Sequence, residues 1–350
     1  MSSLRAPLAP MEAQSVDDIP AGPEWQYEPK WDGFRCLIFR DGADVKLQSK
    51  AGRSLNRYFP EIVAAVRAIE HRRFVLDGEL AVPNGQAFSF DDLLQRIHPA
   101  ASRVAKLAAE TPAFFIAFDL LADADTIYTD RPLSERREKL ERFARVALAR
   151  DPRFRLSPAT TRLADARKWL TQVGATLDGI IAKRRDLPYL SGTRDGMRKI
   201  KNYRSADCVV GGFRYNEGKA VAGSLLLGLY DDAGLLHHVG FTSSIPNAEK
   251  KALTAKLKVL IGPPGFTGAA PGGPSRWSTA RSAEWVPLKP KLVVEVCYDH
   301  FSGGRFRHGT RLMRWRPDKA PRQCTFDQVK QAKGDVMRLL GPTRAVRRKG

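Results

Sequence analysis

Past residue 203 the chain becomes a succession of short extended runs, DCVVGGFR, SLLLGLYD, LLHHVGFT and LVVEVCYDH, interrupted by one helical stretch, NAEKKALTAKLKVL. Short runs of β-branched and aliphatic residues bounded by Gly, Asn and Asp read as strands. Several of them with one inserted helix suit a small, partly open barrel of the OB type. The residues before that point have another texture. FRCLIFRDGADVKLQSK predicts a hairpin about Asp41-Gly42, RYFPEIVAAVRAIE a helix, RRFVLDGELAV extended chain, and FFIAFDLL a buried strand. FDDLLQRIHPA, PLSERREKLERFARVALA and LADARKWLTQVGA have helical period, the second opened by Pro132, and DGIIAKR is extended again. That is an α+β mixture without the βαβ rhythm of a doubly wound sheet. FDQVKQAKGDVMRLL predicts a C-terminal helix, followed by a basic tail with Arg344, Arg347, Arg348 and Lys349.

Charge divides the chain in the same place. Residues 1–200 carry 32 basic and 27 acidic side chains, and residues 201–350 carry 26 and 11, within a net charge of +20. A near-neutral half beside a strongly basic one suggests that one part does chemistry while the other grips a polyanion. Four cysteines, Cys36, Cys208, Cys297 and Cys324, have no C-x-x-C spacing, which fits a reducing compartment and argues against a structural zinc site. His237-His238 reads as strand filler. No apolar run of about eighteen residues is present, so no spanning helix is expected, and the N-terminus lacks the pattern of a secretory signal. No G-x-x-x-x-G-K-[ST] loop is present, so a P-loop is excluded.

The stretch YEPKWDGFR, Tyr27–Arg35, places Lys30 among carboxylates two residues before an Asp-Gly pair. Alone it reads as a strand entering a turn. Its weight comes from a series of motifs ordered along the rest of the chain: SKAGR ending at Arg53, VLDGEL with Glu79, AFDLL with Phe118, DGIIAK over Asp178–Lys183, MRKIK with Lys199 and Lys201, and LMRWRPDK with Arg316 and Lys319. A free lysine amine titrates near 10.4, so only about one in a thousand is neutral near neutral pH. To act as a nucleophile, Lys30 needs that value lowered by about three units, worth roughly 4 kcal/mol. Asp32 and Glu79 push the wrong way; a bound divalent cation, with Arg35, Lys199 and Lys201, would reverse the sign. Lys199 and Lys201 alternate across Ile200, so on a strand they share one face.

The ordered set resembles the covalent nucleotidyltransferase superfamily and, within it, the ATP-dependent DNA ligases. EPKWDGFRCLIFRDG, RYFPE and RWRPDKAPRQCT look most like the bacterial ligase C type. The resemblance implies an adenylation domain of mixed antiparallel sheets with helices over 1–203, an OB-fold barrel over 204–325, and a C-terminal helix and basic tail over 326–350. It implies ATP as AMP donor, Mg²⁺ or Mn²⁺, and nicked duplex DNA as substrate. It further implies a monomer in a bacterial cytoplasm, at the nucleoid, with repair proteins as partners and no membrane. Lys30 would become lysyl-AMP, pass AMP to the 5′-phosphate of a nick, and the 3′-hydroxyl would displace it.

Residue roles come from the same resemblance. Arg35 and Glu79 would contact the ribose or the metal, Arg53 the phosphates, and Glu28 the adenine edge. Phe118 and Ile181 would stack on the two faces of the ring, though alone Phe118 reads as a core aromatic. Lys199 and Lys201 would grip phosphates, and Arg316 and Lys319 belong to a clamp that orients pyrophosphate. Asp178 stands where the family usually has glutamate, so this metal ligand is one methylene shorter; a water bridges the gap, the strand shifts inward, or the second metal site is weak. No separate helical DNA-binding domain is expected ahead of Lys30. The basic barrel, the Gly/Pro loop at 262–275 and the tail would supply the remaining grip. An RNA ligase or a capping-type nucleotidyltransferase is the alternative within the superfamily. A non-enzymatic nucleic-acid-binding module would have no reason to keep Lys30, Glu79, Lys199, Lys201 and Arg316 together.

Overall fold

The computed structural model describes residues 4–173, 177–218, 220–272, 284–330 and 334–341. The basic tail and residues 273–275 of the Gly/Pro loop lie outside them. The chain forms two compact units, one of Met1–Asn202 with Gln331–Gly350, the other Tyr203–Lys330. Among the described residues no helix is long and apolar enough to cross a membrane.

The first unit is built on two sheets. One has four strands: β1 (Gln14–Ser15), β2 (Trp25–Pro29), β8 (Gly179–Arg184) and β9 (Met197–Lys201), in the order β1-β9-β8-β2. The other runs β7-β6-β5-β3-β4, from β3 (Phe34–Asp41), β4 (Asp44–Ser49), β5 (Arg73–Ala81), β6 (Phe114–Asp123) and β7 (Phe154–Leu156), with Thr126–Ile127 paired to β6. The predicted hairpin is β3–β4, closed where Asp41 faces Asp44 and Gly42 takes a positive φ of 60°. Helix α1 (Pro60–Ala68) starts with Pro at its first turn and buries Ile62, Val63, Ala65 and Val66 on one side. That stripe joins the core beneath the second sheet, with Ile38, Leu76 and Phe115. Leu37, Phe39, Val75, Met197 and Ile181 form a further cluster that joins the two sheets.

The second unit is an antiparallel sheet in the order β12-β11-β10-β13-β14, from β10 (Arg204–Tyr215), β11 (Ala222–Tyr230), β12 (Leu236–Thr242), β13 (Val293–Tyr298) and β14 (Arg311–Trp315). Its edges meet: the Thr310 N–H donates to the Phe241 carbonyl at 3.1 Å, and the Thr242 hydroxyl to the Thr310 carbonyl at 2.9 Å. A helix (Lys250–Lys258) is inserted between the third and fourth strands. This is the partly open five-stranded barrel that the run of strands predicts. His237 and His238 lie in β12, where His237 pairs with Asp231 at 2.8 Å and His238 is buried.

The C-terminal segment differs from its expectation. The described residues of FDQVKQAKGDVMRLL form two short 3₁₀ turns, Phe326–Val329 and Val336–Leu340, and no longer helix; residues 331–333 lie outside the described residues. Lys330, with ψ 119°, ends the first turn, and Asp335 caps the second by accepting the Arg338 N–H at 3.2 Å. Val336, with Leu339 and Leu340, packs into the first unit, so residues 326–350 are divided between the two units.

Candidate active site

Register in the four-stranded sheet places three of the expected residues in one row. Ile181 on β8 faces Glu28 on β2 on one side and Lys199 on β9 on the other. Lys30 comes directly after β2, its N–H donating to the Gly179 carbonyl at 2.9 Å. Gly179 has φ 145°, and a Cβ there would lie 2.0 Å from the Ile200 carbonyl oxygen, so only glycine fits. That close approach sets Asp178 beside Lys30, and the two side chains form an ion pair.

The other sheet supplies the opposite wall. Arg35 on β3 faces Glu79 on β5. Along β5 and β6 the register shifts between Asp77, paired with Asp119, and Gly78, paired with Ala117. Phe118 is the extra residue of that bulge, a position that re-aims a side chain. Arg35 forks onto Asp77 with two bonds of 2.6 Å, and the Tyr189 hydroxyl donates to the same carboxylate at 2.6 Å. Arg35 also lies 4.5 Å from the centre of the Phe118 ring, and Lys183 lies 4.4 Å from it. Gly33 packs so tightly on β5 that a Cβ would meet the Leu80 carbonyl oxygen at 2.1 Å.

Between the walls is a cavity of about 170 Å³ lined by Glu28, Lys30, Arg35, Glu79, Phe118, Ile181 and Lys199 among others. Burial lowers the affinity of Lys30 for its proton, but Asp178, then Glu79 and Asp32, outweigh it, and the titration point is raised. The amine is therefore a protonated ammonium at neutral pH until its surroundings change. Burial also pushes the Glu79 carboxyl up to about 8, against Arg35 and Lys30, with Asp77 and Asp32 adding to the rise.

An unfolded chain releases the Glu79 proton near 4.5, so between that value and about 8 the native state binds more protons. Its contribution to stability falls as pH rises through that window. Glu79→Gln removes the penalty. In a chelator its melting temperature is expected to exceed the parent's by about 2 °C or more near pH ~8.5 and by much less near pH ~5. A difference that does not grow with pH excludes a buried neutral Glu79.

Not every expected residue reaches the cavity. Arg53 sits exposed on the turn after β4; Lys50, three residues earlier, lines the cavity in its place. Lys201 shares the strand face of Lys199 but sits beside Gly179, off the cavity wall. Arg316 and Lys319 belong to the second unit, where both are held by Asp207, at 2.9 Å and 2.7 Å, and Arg316 also by Asp318 at 2.8 Å. Besides Lys50, three further participants are missing from the sequence-based set. Lys183 pairs with Glu28 at 2.9 Å, Met11 lines the wall from the N-terminal segment, and Glu12 beside it binds Lys50 at 3.1 Å. Lys183 ends the DGIIAK motif and was legible there; nothing in the sequence marks Met11 or Glu12.

The geometry thus sets a half-buried lysine between two sheets, among acids and cations, at the wall of one cavity. A family model for the ATP dependent DNA ligase domain matches residues 10–201, and one for the ATP dependent DNA ligase C terminal region matches 218–319. DNA ligase C2 of Mycolicibacterium smegmatis is 48% identical over 340 residues, covering 92% of this chain and 94% of the relative. DNA ligase C of Mycobacterium tuberculosis is 45% identical over 340 residues, covering 93% and 94%. A solved Lig E DNA ligase structure shares the fold at a TM-score of 0.55 and 17% identity, over 88% of this chain and 99% of that one. The chain belongs to the ATP-dependent DNA ligase family.

Proposed function

We propose that the protein seals nicks in duplex DNA through a lysyl-AMP intermediate on Lys30. The observation that carries this reading is the meeting of Lys30, Glu28, Arg35, Glu79, Phe118, Ile181 and Lys199 around one cavity. Phe118 and Ile181 come from the two sheets, so a purine between them has an apolar contact on each face. Glu28, buried against Lys183 and Gln26, presents a fixed acceptor to the base edge. Lys30 attacks the α-phosphorus of ATP and pyrophosphate leaves. The 5′-phosphate of the nick then takes the AMP, and the 3′-hydroxyl displaces it.

Glu79 and Asp178 flank Lys30 and fit a divalent cation, since the Glu79 carboxyl loses its proton readily only when positive charge arrives. Among the described residues no group of three or more such ligands forms a ready-made cage, which suits Mg²⁺ or Mn²⁺ held by two carboxylates, waters and phosphate. The ion would supply charge that stabilises the phosphoryl transfer and lowers the Lys30 pKa. Arg316, Lys319 and Lys201 would meet phosphates at another stage of the cycle, and Arg53 the DNA. A monomer acting at the nucleoid beside repair proteins completes the reading.

The test uses α-labelled ATP or GTP with Mg²⁺, then a nicked duplex. Label on the protein from ATP, released on sealing of DNA, is expected; labelling from GTP alone, or joining of RNA only, overturns it. The excess of base over acid in residues 201–350 adds a second expected result. Binding of the nick should weaken roughly a thousandfold between ~50 and ~200 mM salt if six or more phosphates are neutralised. Binding that ignores salt removes the basic half from the DNA interface.

A further inference from the structure

Glu12 lines the cavity and ties together two cations from separate elements, Lys50 on the cavity wall and Arg194 outside its lining. Its N–H donates to the Thr193 carbonyl at 2.8 Å, which fixes its place beside β9. One carboxylate oxygen lies 3.1 Å from Lys50 Nζ, just past β4. The other lies 3.1 Å from Arg194 Nη2, in the loop between β8 and β9. Glu12, Lys50, Lys30 and Lys199 line the same cavity. Lys199 has no carboxylate partner among the described residues, and burial, then Lys30, Lys201, Lys50 and Arg194, all loosen its proton. The wall is therefore a crowded group of cations in which Glu12 satisfies two and leaves a third uncompensated.

We propose that Glu12 is an internal counter-ion that competes with the pyrophosphate portion of ATP for Lys50 and Arg194. The proposal rests on the nucleotidyl-transfer reading above. When the polyphosphate enters, Lys50 and Arg194 exchange a carboxylate for phosphate oxygens. When pyrophosphate leaves, Glu12 recovers them. The consequence reaches both directions of the step. In the reverse step a pyrophosphate oxygen attacks the phosphorus of lysyl-AMP, the P–N bond breaks, a P–O bond forms, ATP departs and the lysine amine takes up a proton. Pyrophosphate must first draw both cations away from Glu12, so the residue disfavours loss of the adenylate before DNA arrives. Lys50 and Arg194 are 59% and 69% exposed, so solvent and salt screen these contacts and the effect is a few-fold one.

Glu12→Gln in the full chain tests this. Two constants are measured: the KM for ATP in forming the covalent adenylate, and the pyrophosphate concentration giving half-maximal release of label from isolated lysyl-AMP protein. Both are expected to fall about two- to fivefold at ~50 mM salt and to converge on the parent's at ~500 mM. Glu12→Asp, which keeps the charge, should keep the parent's constants. Constants that rise show that Glu12 merely props the two cations in place and overturn the proposal, as do constants that do not move. If Glu12→Gln melts early, Arg194→Gln decides instead: with the Glu12 charge less neutralised, both constants must rise, and unchanged values reject the idea. A parent chain that forms no adenylate at all defeats the nucleotidyl-transfer reading, a different failure.

Discussion

Lys30→Ala is expected to abolish transfer of label from α-labelled ATP to the protein and to reduce sealing of an ordinary nick by at least about 10⁴-fold. The structure gives the reason for so large an effect. Lys30 is the lysine at the end of β2, is anchored through its N–H on Gly179, and points its amine to Asp178 within reach of Glu79 and Asp32. Lys183, also on the cavity wall, is committed to Glu28, and Lys199 sits two strands away on β9. Neither can take over the attack without leaving its strand. The same variant should still close a nick that already carries AMP on its 5′-phosphate, because the lysine has finished its part by then. A gel of labelled protein and a sealing assay on both substrates separate the outcomes. Persistent label on the variant would assign the nucleophile elsewhere. Loss of both activities together would show that alanine had disturbed the cavity as well as removed the amine.

Much of this was legible before the fold was known, and the reason is physical. Sequence spacing carries strand register well when side chains sit on adjacent strands of one sheet. Glu28, Ile181 and Lys199 are strand residues whose faces follow from period two, and β2, β8 and β9 bring them into a row. Gly33 was legible as a turn former and Gly179 only as part of an extended run, but the task of both was different. Gly33 and Gly179 permit backbone approaches that no local pattern announces. Arg53 was less well placed by the same reasoning, because the chain turns after Ser49 and gives the cavity to Lys50. The C-terminal helix failed for a related reason. Its apolar spacing was real, but Lys330 and Asp335 both leave helical backbone, and Val336 is buried in the first unit. Partners far apart in sequence were beyond reach altogether. Nothing in the motif AFDLL says that Asp119 is neutralised by Arg136, or that Asp77 holds Arg35.

Asp119→Ala is accordingly the substitution expected to damage the fold most. Asp119 and Arg136 are 5% and 1% exposed and share two bonds of 2.9 Å. Truncating the acid leaves a guanidinium in the interior with, among the described residues, only the Arg131 and Leu187 carbonyls to accept from it. Stranding one member of a buried pair costs about 3–5 kcal/mol, against the smaller loss of a surface ion pair. For a unit of this size that is a fall in melting temperature of at least about 6 °C. The damage should also reach the nucleotide, because Asp119 is next to Phe118 in the bulge and faces Asp77 across it. Asp77 fixes Arg35, and Tyr189 bridges the two pairs, donating to Asp77 while its ring lies 5.7 Å from Arg136. At a temperature where the variant is still folded, its KM for ATP should therefore rise. Asp119→Leu combined with Arg136→Met removes both charges and should recover much of the lost stability, since an apolar pair of similar volume needs no counter-charge. Full stability in Asp119→Ala would mean that Arg136 finds another acceptor, and that the pair is not what holds the bulge carrying Phe118 in place.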